Sequence, residues 1–188
     1  MIHPNQNGFV PFRTIHATVD LFTAAQAAAK SDPDMAEALA LLLDFRKAYD
    51  SVDREFLYAV LDWLGFPPEG ALLFLLVLEA LYRRIDSDRN IEGVMLRSKA
   101  GVFQLKVGGY ADDTASYVRR AAEVIIILAI TRVFAQASGL TLNEKKTLVV
   151  ALNPVEATKR TGRRVHVAVG TYAIDNAART RRPEDNDG

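Results

Sequence analysis

A chain of 188 residues that is 49% hydrophobic and 24% charged has the balance of one globular domain with a core of its own. Its 23 Lys and Arg equal its 23 Asp and Glu, so overall charge marks no polyanionic partner, although a local basic groove is compatible with it. The absence of cysteine excludes disulfides, thiolate metal sites and a cysteine nucleophile.

From the N-terminus, "MIHPNQNGF" lacks a basic stretch followed by an apolar one, so no secretory leader is expected and an intracellular location is, nucleus or cytoplasm being left open. Residues 14–30, Ala-rich with helical spacing, read as a helix closed by "SDPD". The run "MAEALALLLDF" (35–45) reads as a strand over its second half. A helix is expected from Ser51, with acids in its first turn, to the break at Gly65 and Pro67-Pro68. A second helix spans 69–86, followed by strands in "IEGVML", "VFQLKVGGY" and "TASYV". Arg120 to Ser138 is a long apolar helix stopped by Gly139, and "TLVVAL" and "RVHVAV" read as later strands. The apolar runs at 71–78 and 124–130 are short of the roughly 18 to 20 residues that cross a bilayer, so no membrane partner is expected. From Arg179 the chain is charged, rich in turn formers and expected to be disordered.

One detail of this pattern calls for chemistry. "GGYADDTASYV" sets Asp112 and Asp113 side by side between two strands, at the tip of a hairpin. A polar turn is the simple explanation, yet hairpins favour Asn-Gly or Asp-Gly, and here the glycines come earlier. Adjacent carboxylates repel, and a divalent cation removes that cost. Asp44 ends the apolar run "ALALLLD", either as a helix cap or plain strand terminator or as a third acid at a strand end. Three such acids suit a site in which two Mg²⁺ ions stabilise attacking and leaving oxygens.

In this order, "DFRKAYDSVDREFL", "YADDT" and "SGLTLNEKKT" resemble motifs A, C and D of the reverse transcriptase palm in non-LTR (LINE-type) retrotransposons. "QNGFVPFRTIHATV" is similar to that family's QxGFxxGRS segment of the fingers, so the likeness covers residues 4–152. It implies an α/β (α+β) fold: a polymerase palm-type antiparallel sheet with helices on one face, plus partial fingers. It implies an RNA-directed DNA polymerase that uses two Mg²⁺, or Mn²⁺ in their place, to join dNTPs to a DNA primer on an RNA template. Asp44, Asp112 and Asp113 match the metal ligands, Asp112 as the stronger of the last two. The Phe45 carbonyl matches a further metal contact. Tyr49 matches the ring that excludes a 2′-hydroxyl, where the residue alone also reads as a core aromatic. Lys146 matches the lysine beside the leaving pyrophosphate, ahead of Lys145, although "NEKKT" alone also reads as a solvated turn. Arg13 matches the fingers arginine that approaches nucleotide phosphates or template.

Two departures bear on activity. The family's RQGxPxSP segment has no counterpart, because "GFPPEGA" runs straight into the apolar helix "LLFLLVLEALYRRI". An internal deletion near 67–70 is expected to impair catalysis. Phe12 stands where the family prefers glycine, in a tight turn that needs positive φ. Residues 153–178 are an unassigned continuation. The alternatives to an active reverse transcriptase are an inert remnant that folds or binds nucleic acid weakly, an RNA-templated RNA polymerase, and a small α/β domain with an incidental acidic turn.

Overall fold

A computed structural model describes residues 2–46, 51–65, 73–99, 101–161 and 166–168. Its centre is a five-stranded, wholly antiparallel sheet in the order β4-β5-β1-β6-β7. The strands are β1 (Leu39–Leu43), β4 (Val107–Tyr110), β5 (Asp113–Val118), β6 (Leu148–Ala151) and β7 (His166–Ala168). A two-stranded ribbon, β2 (Val94–Ser98) and β3 (Gly101–Leu105), stands beside it. Among the described residues the α-helices are α1 (Ile15–Ser31), α2 (Arg54–Leu64), α3 (Leu73–Ser87), α4 (Ala121–Ser138) and α5 (Pro154–Thr161).

Local chemistry explains the boundaries. The α1 helix ends at Asp32, whose side chain accepts from the Asp34 N–H and starts a short 3-10 turn over Pro33–Met35. The α2 helix begins three residues after the expected Ser51, because the Asp53 carboxylate accepts from the Phe56 N–H and caps the helix there. Ser51 instead donates its hydroxyl to the Arg46 carbonyl. Gly65 closes α2 in the left-handed region at φ 73°. Gly139 closes α4 at φ 77°, where a side chain would also collide with the Ser51 carbonyl. The expected strand "VFQLKVGGY" is broken at Lys106 and shared between the two sheets. At the break Lys106 is buried, and its Nζ donates to the carbonyls of Asp86 and Asp88 at the end of α3, where a cation suits the helix dipole. The α5 helix was not anticipated, although "NP" carries its signal. Asn153 accepts from the Glu156 N–H and Pro154 takes the first helical position. The β7 strand brings part of the continuation beyond residue 152 into the main sheet. The tail from Arg179 and the Pro67-Pro68 break lie outside the described residues.

The sheet has helices on both faces, not on one as the resemblance implied. Alternate residues of β1 divide between two cores. Leu41 and Leu43 pack with Val77, Leu78, Leu81 and Ile85 of α3 and with Val124 and Ile127 of α4. Ala40 points the other way, with Ala115 and Tyr117 of β5, toward Ala25 and Ala29 of α1. Small residues on both surfaces let α1 approach the sheet closely, and β1 is therefore apolar at every position. By length and composition α4 is apolar enough to cross a membrane, but here its Val124, Ile127, Leu128 and Phe134 fill the first core.

Candidate active site

The register of the central strands determines which acids meet. In the β1–β5 ladder, Leu43 opposes Thr114, Leu42 opposes Ala115 and Ala40 opposes Tyr117. One step beyond the Leu43–Thr114 pair, Asp44 and Asp113 come opposite each other, on the face that carries Leu42, Ala115 and Tyr117. The β4–β5 hairpin has a two-residue turn, Ala111-Asp112, between paired Tyr110 and Asp113. Of these two turn residues only Ala111 has positive φ, 57°, the φ pattern of a type II′ turn that ordinarily takes glycine. An alanine there costs about 1–2 kcal/mol of backbone strain, which surrounding contacts must offset.

A groove of about 440 Å³ opens on this face. Thr18, Val19 and Phe22 of α1 form one wall, and Leu42, Ala115 and Tyr117 form the floor. Asp44, Asp113 and Lys146 line it as well. The Lys146 loop is tied to Asp44 through backbone on both sides. The Asn143 N–H donates to the Asp44 carbonyl at 2.7 Å, and the Asp44 N–H donates to the Thr147 hydroxyl at 3.1 Å. Within the loop, the N–H groups of Lys146 and Thr147 both donate to the Asn143 carbonyl. A lysine three residues after Asn143 is thereby fixed beside a carboxylate 102 positions away, while its exposed side chain keeps reach.

The electrostatics are those of two anions and one cation at the end of an apolar slot. Partial burial, then the charges of Asp112 and Asp44, hold the Asp113 carboxyl above the usual carboxylate range. Asp113 is exposed overall, so its desolvation is partial and water screens part of the repulsion. Burial holds the Tyr117 phenol well above its usual range, so it faces the groove as a neutral group. Among the described residues no three His, Asp or Glu side chains converge on one point. Hard oxygen ligands still fit Mg²⁺, which typically takes one or two carboxylates and completes its shell with water and substrate phosphates.

The other anticipated residues distribute as follows. Asp112 sits at the second turn position, half-buried and outside the groove lining, so Asp113 rather than Asp112 faces Asp44. The Phe45 side chain is buried in the first core and its backbone bridges Leu142, next to the loop that carries Lys146. Lys145 is exposed and does not line the groove. Arg13 does not line the groove, and its Nη1 donates to the carbonyls of His3 and Gln6, both at 2.7 Å. Tyr49 lies outside the described residues. Phe12 has the positive φ its turn was expected to need, 65°, with its ring wholly exposed. Sequence reading missed the apolar lining, although the alternation Asp113, Ala115, Tyr117 carried the signal once Asp113 was assigned to a face. Searched against models of protein families and against curated proteins, the chain matches none.

Proposed function

We propose that this chain is the palm, with part of the fingers, of a reverse transcriptase from a non-LTR retrotransposon, built for joining dNTPs to a primer 3′-hydroxyl on an RNA template. One observation carries the reading beyond motif likeness: Asp44, one residue past the end of β1, and Asp113, the first residue of β5, line one groove, with Lys146 tied to the same strand end. Carboxylates 69 positions apart gain nothing in stability by meeting: partial burial, then the charges of Asp112 and Asp44, raise the Asp113 pKa. Asp44 and Asp113, with Asp112 nearby, would hold Mg²⁺ or Mn²⁺, which would supply charge neutralisation for in-line displacement at phosphorus. Lys146, which lines the same groove, would offset charge on a leaving pyrophosphate or give it a proton. The slot of Phe22, Leu42, Ala115 and Tyr117 offers apolar surface to a sugar or base.

The missing RQG segment favours a second reading, an inert remnant that keeps the fold and binds nucleic acid weakly. Primer extension on poly(rA)/oligo(dT) with Mg²⁺, together with Mn²⁺ titration followed by electron paramagnetic resonance, separates the two. Extension that Asp44→Asn lowers at least about 100-fold supports a working polymerase, since loss of a direct ligand exceeds typical outer-sphere effects. Mn²⁺ binding that requires Asp44 and Asp113, without extension, supports the remnant. A chain that neither extends primers nor binds Mn²⁺ at these acids contradicts the proposal.

A further inference from the structure

The acid hairpin does not hold itself. Its turn places an alanine at φ 57°, and β4 would be a bare edge of the sheet. The N-terminal segment supplies both missing supports. Residues 5–7 run parallel to β4: the Asn7 N–H donates to the Gly109 carbonyl and the Gly109 N–H donates to the Asn5 carbonyl, each at 2.9 Å. The Asn5 side chain adds a bond to the Val107 carbonyl. Gly8 then passes so close to Ala111 that a Cβ on Gly8 would collide with the Ala111 nitrogen.

Gln6 lies at the centre of this contact and is 1% exposed. Its Oε1 accepts from the N–H of Ala111 at 3.1 Å and of Gly8 at 2.9 Å. Its Nε2 donates to the Ala111 carbonyl at 3.0 Å and toward the Tyr82 hydroxyl at 3.4 Å. Two accepted and two donated bonds exhaust the capacity of a primary amide. Ala111 has both its backbone groups held by one side chain, which fixes the peptide planes on either side of its positive φ. Tyr82 extends the hold, because its hydroxyl also pairs with Thr114 at 3.0 Å, directly after Asp113. Gln6 itself is not among the groove residues.

We infer that Gln6 is a positioning residue for the acid site: by clamping Ala111 it keeps the β4–β5 turn in the register that sets Asp113 opposite Asp44. A slip of one residue in β5 would turn Asp113 to the opposite face of the sheet and bring Asp112 or Thr114 against Asp44. The link to metal binding rests on the function proposed above, whereas the hold on the hairpin does not.

The test compares wild type, Gln6→Met, Gln6→Glu and Asp113→Asn by amide hydrogen exchange and by Mn²⁺ titration. In Gln6→Met the Ala111 amide is expected to exchange at least about 10-fold faster while the Leu41 amide keeps its protection, because the lost partner is local. Mn²⁺ affinity is expected to fall about 10- to 100-fold, the usual effect of removing a group that orients a ligand. Gln6→Glu keeps both accepting bonds and loses both donated ones, so its affinity is expected between the two. If Gln6→Met also unprotects Leu41, the comparison is decided on Gln6→Glu. Ala111 exchange as slow as wild type in Gln6→Met with Leu41 still protected, or wild-type Mn²⁺ affinity in the variant so chosen, overturns the inference. Mn²⁺ binding that Asp113→Asn leaves untouched overturns the metal reading instead, and Ala111 exchange still decides whether Gln6 holds the turn.

Discussion

The two faces of the central sheet use the same strands for opposite ends. On one face Leu41 and Leu43 of β1 meet α3 and α4 across a core in which Val77, Leu78, Leu81, Ile85 and Ile127 are fully buried. On the other face the same strand shows Ala40, Leu42 and Asp44, and α1 covers only part of it, leaving the groove. Burying a large aliphatic side chain is worth roughly 1.5–3 kcal/mol, so the first face supplies most of what holds the sheet. That stability lets the second face carry mutually repelling carboxylates and an apolar floor in contact with water.

Neighbouring leucines give the sharpest way to break this contrast. Leu41 is fully buried and Leu42 is 36% exposed on the groove floor. In urea unfolding, Leu41→Ala is expected to cost about 2–5 kcal/mol, the usual result of opening a cavity in a packed core. Leu42→Ala is expected to cost about 1 kcal/mol or less, because the site already faces water. Equal losses would mean that the groove face bears load like the other, and its assignment to function would lose its physical basis.

What could be read from the sequence followed the same division. The helices of the packed face and the strand that ends at Asp44 were legible because period and punctuation are local signals. Asp112 and Asp113 were legible as a hairpin tip because acids stand out in an apolar run. Which of the two faces Asp44 was not, since that depends on the Leu43–Thr114 register, a pairing of segments about 70 residues apart. The resemblance names both as metal ligands, Asp112 as the stronger, and only the pairing puts Asp113 on the groove. Helices on both faces were also hidden, since a doubly buried strand and a singly buried one are hard to separate when residues 39–43 are all Leu or Ala. Gln6 looked like any polar residue near a terminus. Its four bonds reach residues 2, 76 and 105 positions away, and no local pattern encodes them.

The groove face differs also in how its helix is attached. The chain enters α1 through Phe9 at φ 54° and Phe12 at φ 65°, both exposed and both in a region that L side chains enter at a cost. Phe12→Gly is expected to stabilise the protein by about 1 kcal/mol in the same assay, since the relief of strain exceeds glycine's entropy cost and no buried area is lost. Destabilisation would show that the Phe12 ring has a packing role the structure does not give it.

The smallest expected effect concerns charge on the groove itself. The Asp113 carboxyl is held above its ordinary 3.8 in the folded protein, so between that value and the raised one the folded state binds more protons than the unfolded state. Stability must then fall as pH rises through this window, and at neutral pH the ionised group is a net cost. Asp113→Asn removes the cost, so the variant is expected to be more stable than wild type at pH 7 and to lose that advantage below the unfolded pKa. The gain should not exceed about 1 kcal/mol, because the carboxyl is exposed and solvent screens its repulsion from Asp112 and Asp44. A divalent cation bound only by the folded wild type should reverse the ranking, since it stabilises in proportion to its occupancy. Urea unfolding of both proteins at pH 7, with and without millimolar Mg²⁺, measures both halves. A wild type that is the more stable of the two without Mg²⁺ would mean that Asp113 has a protein partner, and the acids would then belong to the architecture of the hairpin rather than to a cation.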